Sequence, residues 1–269
     1  MLYFISTPIG NLKDISFRAV ETLKEVDLIL CEDTRHSLKL LDFYGIKKPL
    51  KSYHKFNEKE RVDEIIEILE SGKNVAVISD AGTPVISDPG NVLSIELAKR
   101  EIEYTVIPGA TAFVPALILS GLDSSHFTFV GFLPEKTKDK DALIKSVENH
   151  LETLIFYSAP HDVNKDLKYL ASKLGNRAVS CVKEITKLHE TAYRGTLDSL
   201  VIDEPKGEFV IVVSGAKEQK SNFQLTEKEH IDLYLSKGYS KKDAIKIVAE
   251  ERGVSKNSLY KYTIENEQE

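Results

Sequence analysis

Short apolar runs alternate along the chain with segments whose apolar residues recur about once per helical turn. Leu2 to Ser6 reads as a strand. Ser16 to Lys24 reads as a helix, with Phe17, Val20 and Leu23 spaced roughly one turn apart. Val26 to Cys31, Val75 to Ser79 and Tyr104 to Ile107 read as further strands. Arg61 to Leu69 puts Val62, Ile65, Ile66 and Leu69 on one helix face, with Gly72 just past its end, and Leu93 to Lys99 is helical too. The run from Val75 is apolar at nearly every position, as a strand covered on both faces requires. This alternation predicts an α/β architecture with an open, mostly parallel sheet. Its ligand crevice should lie beyond the carboxyl ends of the strands.

A second α/β unit follows. Phe127 to Val130, Thr153 to Tyr157, Ala178 to Val182 and Phe209 to Val213 read as strands, and Asp139 to Val147 and Val163 to Leu174 as helices. The division is drawn as 1–115, 116–216 and 217–269. The last part begins with a polar linker, Lys217 to Asn222. Thr226 with Glu229 forms a capping-box pattern, and Ser240 with Asp243 repeats the spacing. Ala244, Ile245, Val248 and Ala249 make an apolar face; Gly253 breaks the chain and Ser255 opens a last helix. The pattern predicts a small helical domain resembling a helix-turn-helix bundle.

Composition removes several alternatives. The 269 residues are 42% hydrophobic and carry a net charge of -6, which excludes a uniformly basic nucleic-acid coat but not a local basic groove. Residues 217–269 hold ten basic and ten acidic side chains, so the net charge resides in 1–216. Cys31 and Cys181 are too few for a disulfide scaffold or a four-cysteine zinc site. Neither a secretory leader nor an apolar run of membrane-spanning length is visible, so a cytoplasmic protein is expected.

Four loops at strand ends carry the candidate chemistry. The first, Ser6 to Leu12, contains Gly10 and Asn11 but no G-x-G-x-x-G fingerprint. The second, Cys31 to His36, gathers Glu32, Asp33, Arg35 and His36. Arg35 suits a phosphate and Asp33 a hydroxyl; the alternative is a helix start capped by Asp33 or Thr34. His36 and His54 are candidate proton carriers near neutral pH; no metal site is expected. The third, Asp80 to Pro84 followed by Ile86 to Gly90, is stiffened by Pro84 and Pro89 and relieved of bulk at Gly82. The fourth, Ile107 to Thr111, leaves room at Gly109 and Ala110, with Thr111 a candidate cap. In the second unit, Tyr157 stands at a strand end, and Lys136, Lys138, Lys140, Lys183, Lys187 and Arg194 are candidate phosphate contacts beside Glu184.

The ordered set TPIGNL (7–12), EDTR (32–35), SYH (52–54), SDAGTP (79–84), ISDPG (86–90), GFLP (131–134), LIFY (154–157), EITK (184–187), YRG (193–195) and KGEF (206–209) resembles the tetrapyrrole methylase superfamily. Within it, the set is most similar to the branch acting on small-subunit ribosomal RNA. The resemblance implies a two-domain, class III methyltransferase fold binding S-adenosylmethionine between its domains, usually as a homodimer. It implies 2′-O-methylation of a cytidine ribose of 16S ribosomal RNA near the decoding centre. By motif, Asp80, Ala81, Gly82, Thr83, Pro84, Pro108, Gly109, Ala110, Thr111 and Tyr157 are the implied cofactor residues. Asn11, Asp33, Arg35, His54 and Glu184 are the reaction-centre candidates, with Asp33 first for the hydroxyl proton. Two departures stand out: Pro-Gly-Ala-Thr replaces Pro-Gly-Pro-Ser at 108–111, and Asp162 replaces an arginine after His161. The alternatives are a relative acting on a tetrapyrrole precursor or a protein side chain, and a noncatalytic RNA-binding assembly protein.

Overall fold

The computed structural model describes residues 1–217, 225–252 and 254–264. Beyond Lys217, the polar linker read from the sequence lies outside the described residues, as does Gly253. The described chain divides after Ala216 into two compact units.

The first unit begins with a five-stranded sheet built from β1 (Leu2–Ile5), β2 (Leu28–Cys31), β3 (Leu50–Ser52), β4 (Val75–Ile78) and β5 (Tyr104–Ile107). All its pairings are parallel, in the order β3-β2-β4-β1-β5. Parallel neighbours need crossovers, supplied by α1 (Phe17–Glu25), α2 (Thr34–Phe43), α3 (Glu58–Glu70) and α4 (Asn91–Lys99). The buried residues form two clusters: Val62, Ile65, Leu93 and Leu97 join one, and Ala19, Leu23 and Leu41 join the other. Central β4 is buried at every position, as its apolar run requires.

Helix α5 (Phe113–Ser120) leads into the second sheet: β6 (Phe127–Phe132), β7 (Thr153–Ser158), β8 (Ala178–Lys183), β9 (Thr191–Thr196) and β10 (Phe209–Val213). The order is β6-β7-β10-β8-β9, with β6 and β7 parallel and the other pairs antiparallel. Helices α6 (Thr137–Val147) and α7 (Val163–Leu174) pack on it through Ile144, Leu167 and Leu170. A separate cluster joins Ile9 from the loop after β1 to Ala116, Leu117, Ile155, Val182 and Val210, tying the two sheets into one body.

The structure alters some local readings. Phe17 is 92% exposed, and α1 instead buries Ala19 and Leu23. Ser16 caps this helix, its hydroxyl accepting from the Ala19 amide at 3.1 Å. Thr111 caps nothing: α5 has no side-chain cap bond.

The second unit contains α8 (Glu227–Ser236), α9 (Lys241–Arg252) and α10 (Lys256–Ile264). The capping box is present, with the Thr226 hydroxyl accepting from the Glu229 amide and the Glu229 carboxyl accepting from the Thr226 amide. Its core is Ile231, Ala244, Ile245, Val248, Ala249 and Leu259. Among the described residues, no helix is long and apolar enough to cross a membrane.

Candidate active site

Parallel pairing delivers every carboxyl end of the first sheet to one side. The loop after β1 and the loop after β4 are joined there by a two-way backbone bridge. Thr7 N–H donates to Gly82 O at 2.8 Å, and Gly82 N–H donates to Thr7 O at 3.1 Å. Gly82 sits at φ +87°, the left-handed region, and a Cβ there would meet Ile9 at 3.3 Å. The Thr83 hydroxyl continues the network, lying 2.9 Å from the Ser6 hydroxyl and donating to Ala110 O at 3.1 Å.

These loops and the second sheet enclose a cavity of about 370 Å³. That is within the usual range for a small-molecule site. Asp80, Ala81, Gly82, Thr83, Thr111 and Tyr157 all line it. Pro84, Pro108, Gly109 and Ala110 are not among its lining residues. Gly109 is instead needed for close approach, since a Cβ there would stand 2.8 Å from Ser6 Cβ. The second sheet supplies the apolar side through Phe132, Phe209 and Val210, with Ile185 added from the turn after β8. Tyr157 stands edge-on to Phe129 and Phe132, with centroids 5.0 and 5.4 Å away. Burial pushes the Tyr157 hydroxyl up to about 12.

Asp88 and Glu208 also line the cavity. Burial raises Asp88 to about 7, helped by the neighbouring charges of Glu32 and Asp80. Glu32 is itself raised, first by burial and then by Asp80, with His54 opposing. The loop carrying Asp88 is held in an unusual backbone shape: Val85 lies at φ 76°, Ser87 at 67° and Gly90 at 128°. A Cβ on Gly90 would meet Val85 Cγ2 at 2.8 Å. Buried Glu58 anchors this loop from α3, its Oε1 accepting from the amides of Gly90 at 3.0 Å and Val92 at 2.8 Å.

The five reaction-centre candidates lie outside the cavity lining. Asp33 is the N-cap of α2, with Oδ1 accepting from the Arg35 amide at 2.8 Å. Its other oxygen takes Arg35 Nη2 at 3.1 Å, and the pair lies in solvent. The Arg35 side chain and amide hold the Asp33 carboxyl down to about 2. Asn11 is exposed and caps a short turn through the Lys13 amide. Its own N–H donates to Thr186 Oγ1 at 3.1 Å, and the adjacent Gly10 packs against Lys187. His54 is half-buried, with Nε2 3.3 Å from Asn57 Nδ2. Glu184 braces the turn before β10, accepting from Lys187 Nζ at 3.0 Å and the Glu208 amide at 3.2 Å. Burial works to raise its carboxyl, but these donors outweigh it and the net shift is downward.

The basic series divides in the same way. Arg194 donates to Ser120 O at 3.1 Å and to Leu119 O, closing the end of α5. Lys187 is paired with Glu184 and Glu208. Lys136 and Lys138 remain exposed, a few residues beyond Phe132.

Residues 1–201 match the family of Tetrapyrrole (Corrin/Porphyrin) Methylases. The chain is 42% identical to "Ribosomal RNA small subunit methyltransferase I" of Bacillus subtilis over 97% of its own length and 92% of that protein's. It belongs to that methyltransferase family, within the tetrapyrrole methylases. A Thermotoga maritima member is 43% identical, covering 80% of this chain and 98% of its own. Solved structures share the fold: a diphthine synthase at TM-score 0.65 and 18% identity, covering 80% of this chain and 90% of that one. A uroporphyrin-III-C-methyltransferase from Thermus thermophilus matches at TM-score 0.58 and 17% identity, covering 79% and 93%. As a member of this methyltransferase family, the chain is an enzyme that uses S-adenosylmethionine. The cavity suits that cofactor chemically. Asp80 and Asp88 supply acidic groups that would suit a cation, and Tyr157, Phe209 and Val210 an apolar wall that would suit a flat ring.

Proposed function

We propose that this enzyme methylates the 2′-oxygen of a cytidine ribose in 16S ribosomal RNA, near the decoding centre of the small subunit. The observation that carries the reading is identity above 40% to small-subunit ribosomal RNA methyltransferases along nearly the whole chain, together with a matching cavity. S-adenosylmethionine, when bound, supplies a methyl group on a sulfonium that needs no further activation. The chain's task is therefore alignment of donor and acceptor oxygen. Asp80, Ala81, Gly82 and Thr83 hold the cofactor against Thr111 and Tyr157. Pro84, Pro108, Gly109 and Ala110 shape the loops behind them. Arg35, with its side chain 88% exposed and its guanidinium paired with Asp33, contacts RNA phosphate at the rim. Lys136 and Lys138 extend that contact, and Asn11, His54 and Glu184 position the loops around the acceptor.

The enzyme acts in the cytoplasm as a homodimer. Val106 on edge strand β5, Ile118 on α5 and Phe127 on edge strand β6 are exposed apolar side chains suited to a partner copy.

The test is transfer of labelled methyl to undermethylated small subunits, with mapping of the product at nucleotide resolution. Label in a 2′-O-methylcytidine of 16S RNA is expected; label in protein or in no acceptor would overturn the reading. The unit after Ala216 docks the enzyme on its substrate, a reading supported by its compactness and its own small core of Ile231, Ile245, Val248 and Leu259. Deleting 217–269 is expected to leave cofactor affinity within about twofold and to lower transfer to subunits; unchanged transfer would remove the docking role.

A further inference from the structure

Methyl transfer to a hydroxyl changes two charges at once. The carbon–sulfur bond breaks with its electron pair staying on sulfur, the carbon–oxygen bond forms, and the hydroxyl proton must leave. The site therefore loses a positive charge at the moment a proton needs an acceptor. Asp33 is ill suited to receive it, being committed to the α2 cap and to Arg35 outside the cavity lining. Glu184 is committed to Lys187 and the Glu208 amide.

Asp88 is placed differently. Its residue lines the cavity, on a loop with three positive-φ residues that the buried carboxyl of Glu58 anchors. The groups that act on it electrostatically are acidic: Glu32 from the end of β2 and Asp80 from the end of β4. Tyr157 from β7 also senses its charge, and Glu208, before β10, acts on Tyr157 in turn. His54 acts one step away, on Glu32.

We infer that Asp88 takes the acceptor's hydroxyl proton, and that the cationic charge of the bound methyl donor keeps Asp88 ionised until transfer removes that charge. This rests on the methyltransferase reading above. With the cavity empty of cation, Asp88 is about half protonated near pH 7. A sulfonium in the cavity favours the carboxylate and expels that proton. Once the methyl has left, Asp88 stands again among like charges and binds a proton readily, which draws the hydroxyl proton onto its carboxyl. The proton then passes to solvent when the neutral-sulfur product leaves and the next donor binds.

The first test is a proton count. Titration calorimetry of the full chain with S-adenosylmethionine and with S-adenosylhomocysteine, in two buffers of different ionisation enthalpy, reports protons released on binding. Near pH 7 the donor is expected to release roughly half a proton and the product almost none. Donor affinity is expected to weaken up to about tenfold per pH unit below 7, with product affinity flat. Equal proton counts for the two ligands would overturn the inference without any variant.

Asp88→Asn is then expected to abolish the difference in proton count while binding product within about threefold of wild type. Its single-turnover transfer should fall on the order of 100-fold, with loss of the acidic limb of the pH profile. Wild-type transfer by this variant, with an unaltered profile, would also overturn the inference. If the wild-type protein labels no small subunit at all, the acceptor assignment fails instead, and the proton count still decides the role of Asp88.

Discussion

The parallel sheet meets the cavity with loops, whereas the mixed sheet meets it largely with its own strands. From the first come Ile9, Asp80 to Thr83, Ile86 to Asp88 and Thr111, all lying beyond strand ends. From the second come Phe132, Tyr157, Ser158, Phe209 and Val210 within β6, β7 and β10, joined by Ala159, Pro160, Ile185 and Glu208 from the adjoining loops. Loops at the ends of parallel strands can carry carboxylates without burying them in the sheet. Residues inside β10 cannot, because the strand is buried along its whole length and pairs on both sides. The cavity therefore has one side made of loops, which carries Asp80 and Asp88, and a facing side whose strand residues are also core, with Glu208 just before β10. Change on the apolar side should register as lost stability, and change on the polar side as altered ligand binding.

The largest expected effect is on the apolar side. Phe209 is 2% exposed and belongs to the core of the second sheet. Phe209→Ala should destabilise the protein by about 3–5 kcal/mol, read from urea unfolding. A loss below 1 kcal/mol would show that this wall is not core.

Glu58 tests the polar side. Replacing it by Ala strands two amides, those of Gly90 and Val92, and should cost about 2–3 kcal/mol. The same variant should weaken cofactor binding by more than Phe209→Ala does, because the Asp88 loop loses its anchor. Equal effects on binding would erase the distinction between the two sides.

The smallest effect concerns Asp33, whose carboxyl is held down to about 2 from an ordinary 3.8. A lowered folded-state value favours folding above the ordinary value, and that contribution disappears as pH falls from about 4 towards 2. Arg35→Ala should raise the Asp33 midpoint towards 3.8 and flatten this part of the acid-stability curve, followed by NMR titration. An unmoved midpoint would assign the shift to the helix start alone.

Much of the fold was legible because the two periods were clean. β4 is four apolar residues in a row, and α3 repeats Val62, Ile65, Ile66 and Leu69. Short and edge elements were not: β3 is three residues with no buried position, and β9 is a mixed-polarity edge strand. Helix α2 begins inside what reads as a chemical motif, and of the two readings open for Asp33, the cap is the one the structure displays. Phe17 shared a helical spacing with Val20 and Leu23, but the buried stripe passes through Ala19 instead. At the site, the 80–83 segment, Thr111 and Tyr157 were legible from motif order and strand-end position. Asp88 and Glu208 stood within the ISDPG and KGEF motifs, with no role attached to either. What the sequence withheld was convergence: Glu32, Asp80 and Asp88 are brought together only by the β2-β4 adjacency and the turn before α4.

The reciprocal bridge between Thr7 and Gly82 has a consequence for how the site moves in time. Two loops that would otherwise fluctuate separately share both hydrogen bonds of a sheet ladder. In deuterated water, the amides of Thr7 and Gly82 should therefore exchange as slowly as those of β1 and β4, releasing only when the sheet itself opens. The cofactor floor would then behave as an extension of the sheet, and substrate traffic would have to be accommodated by the walls around it.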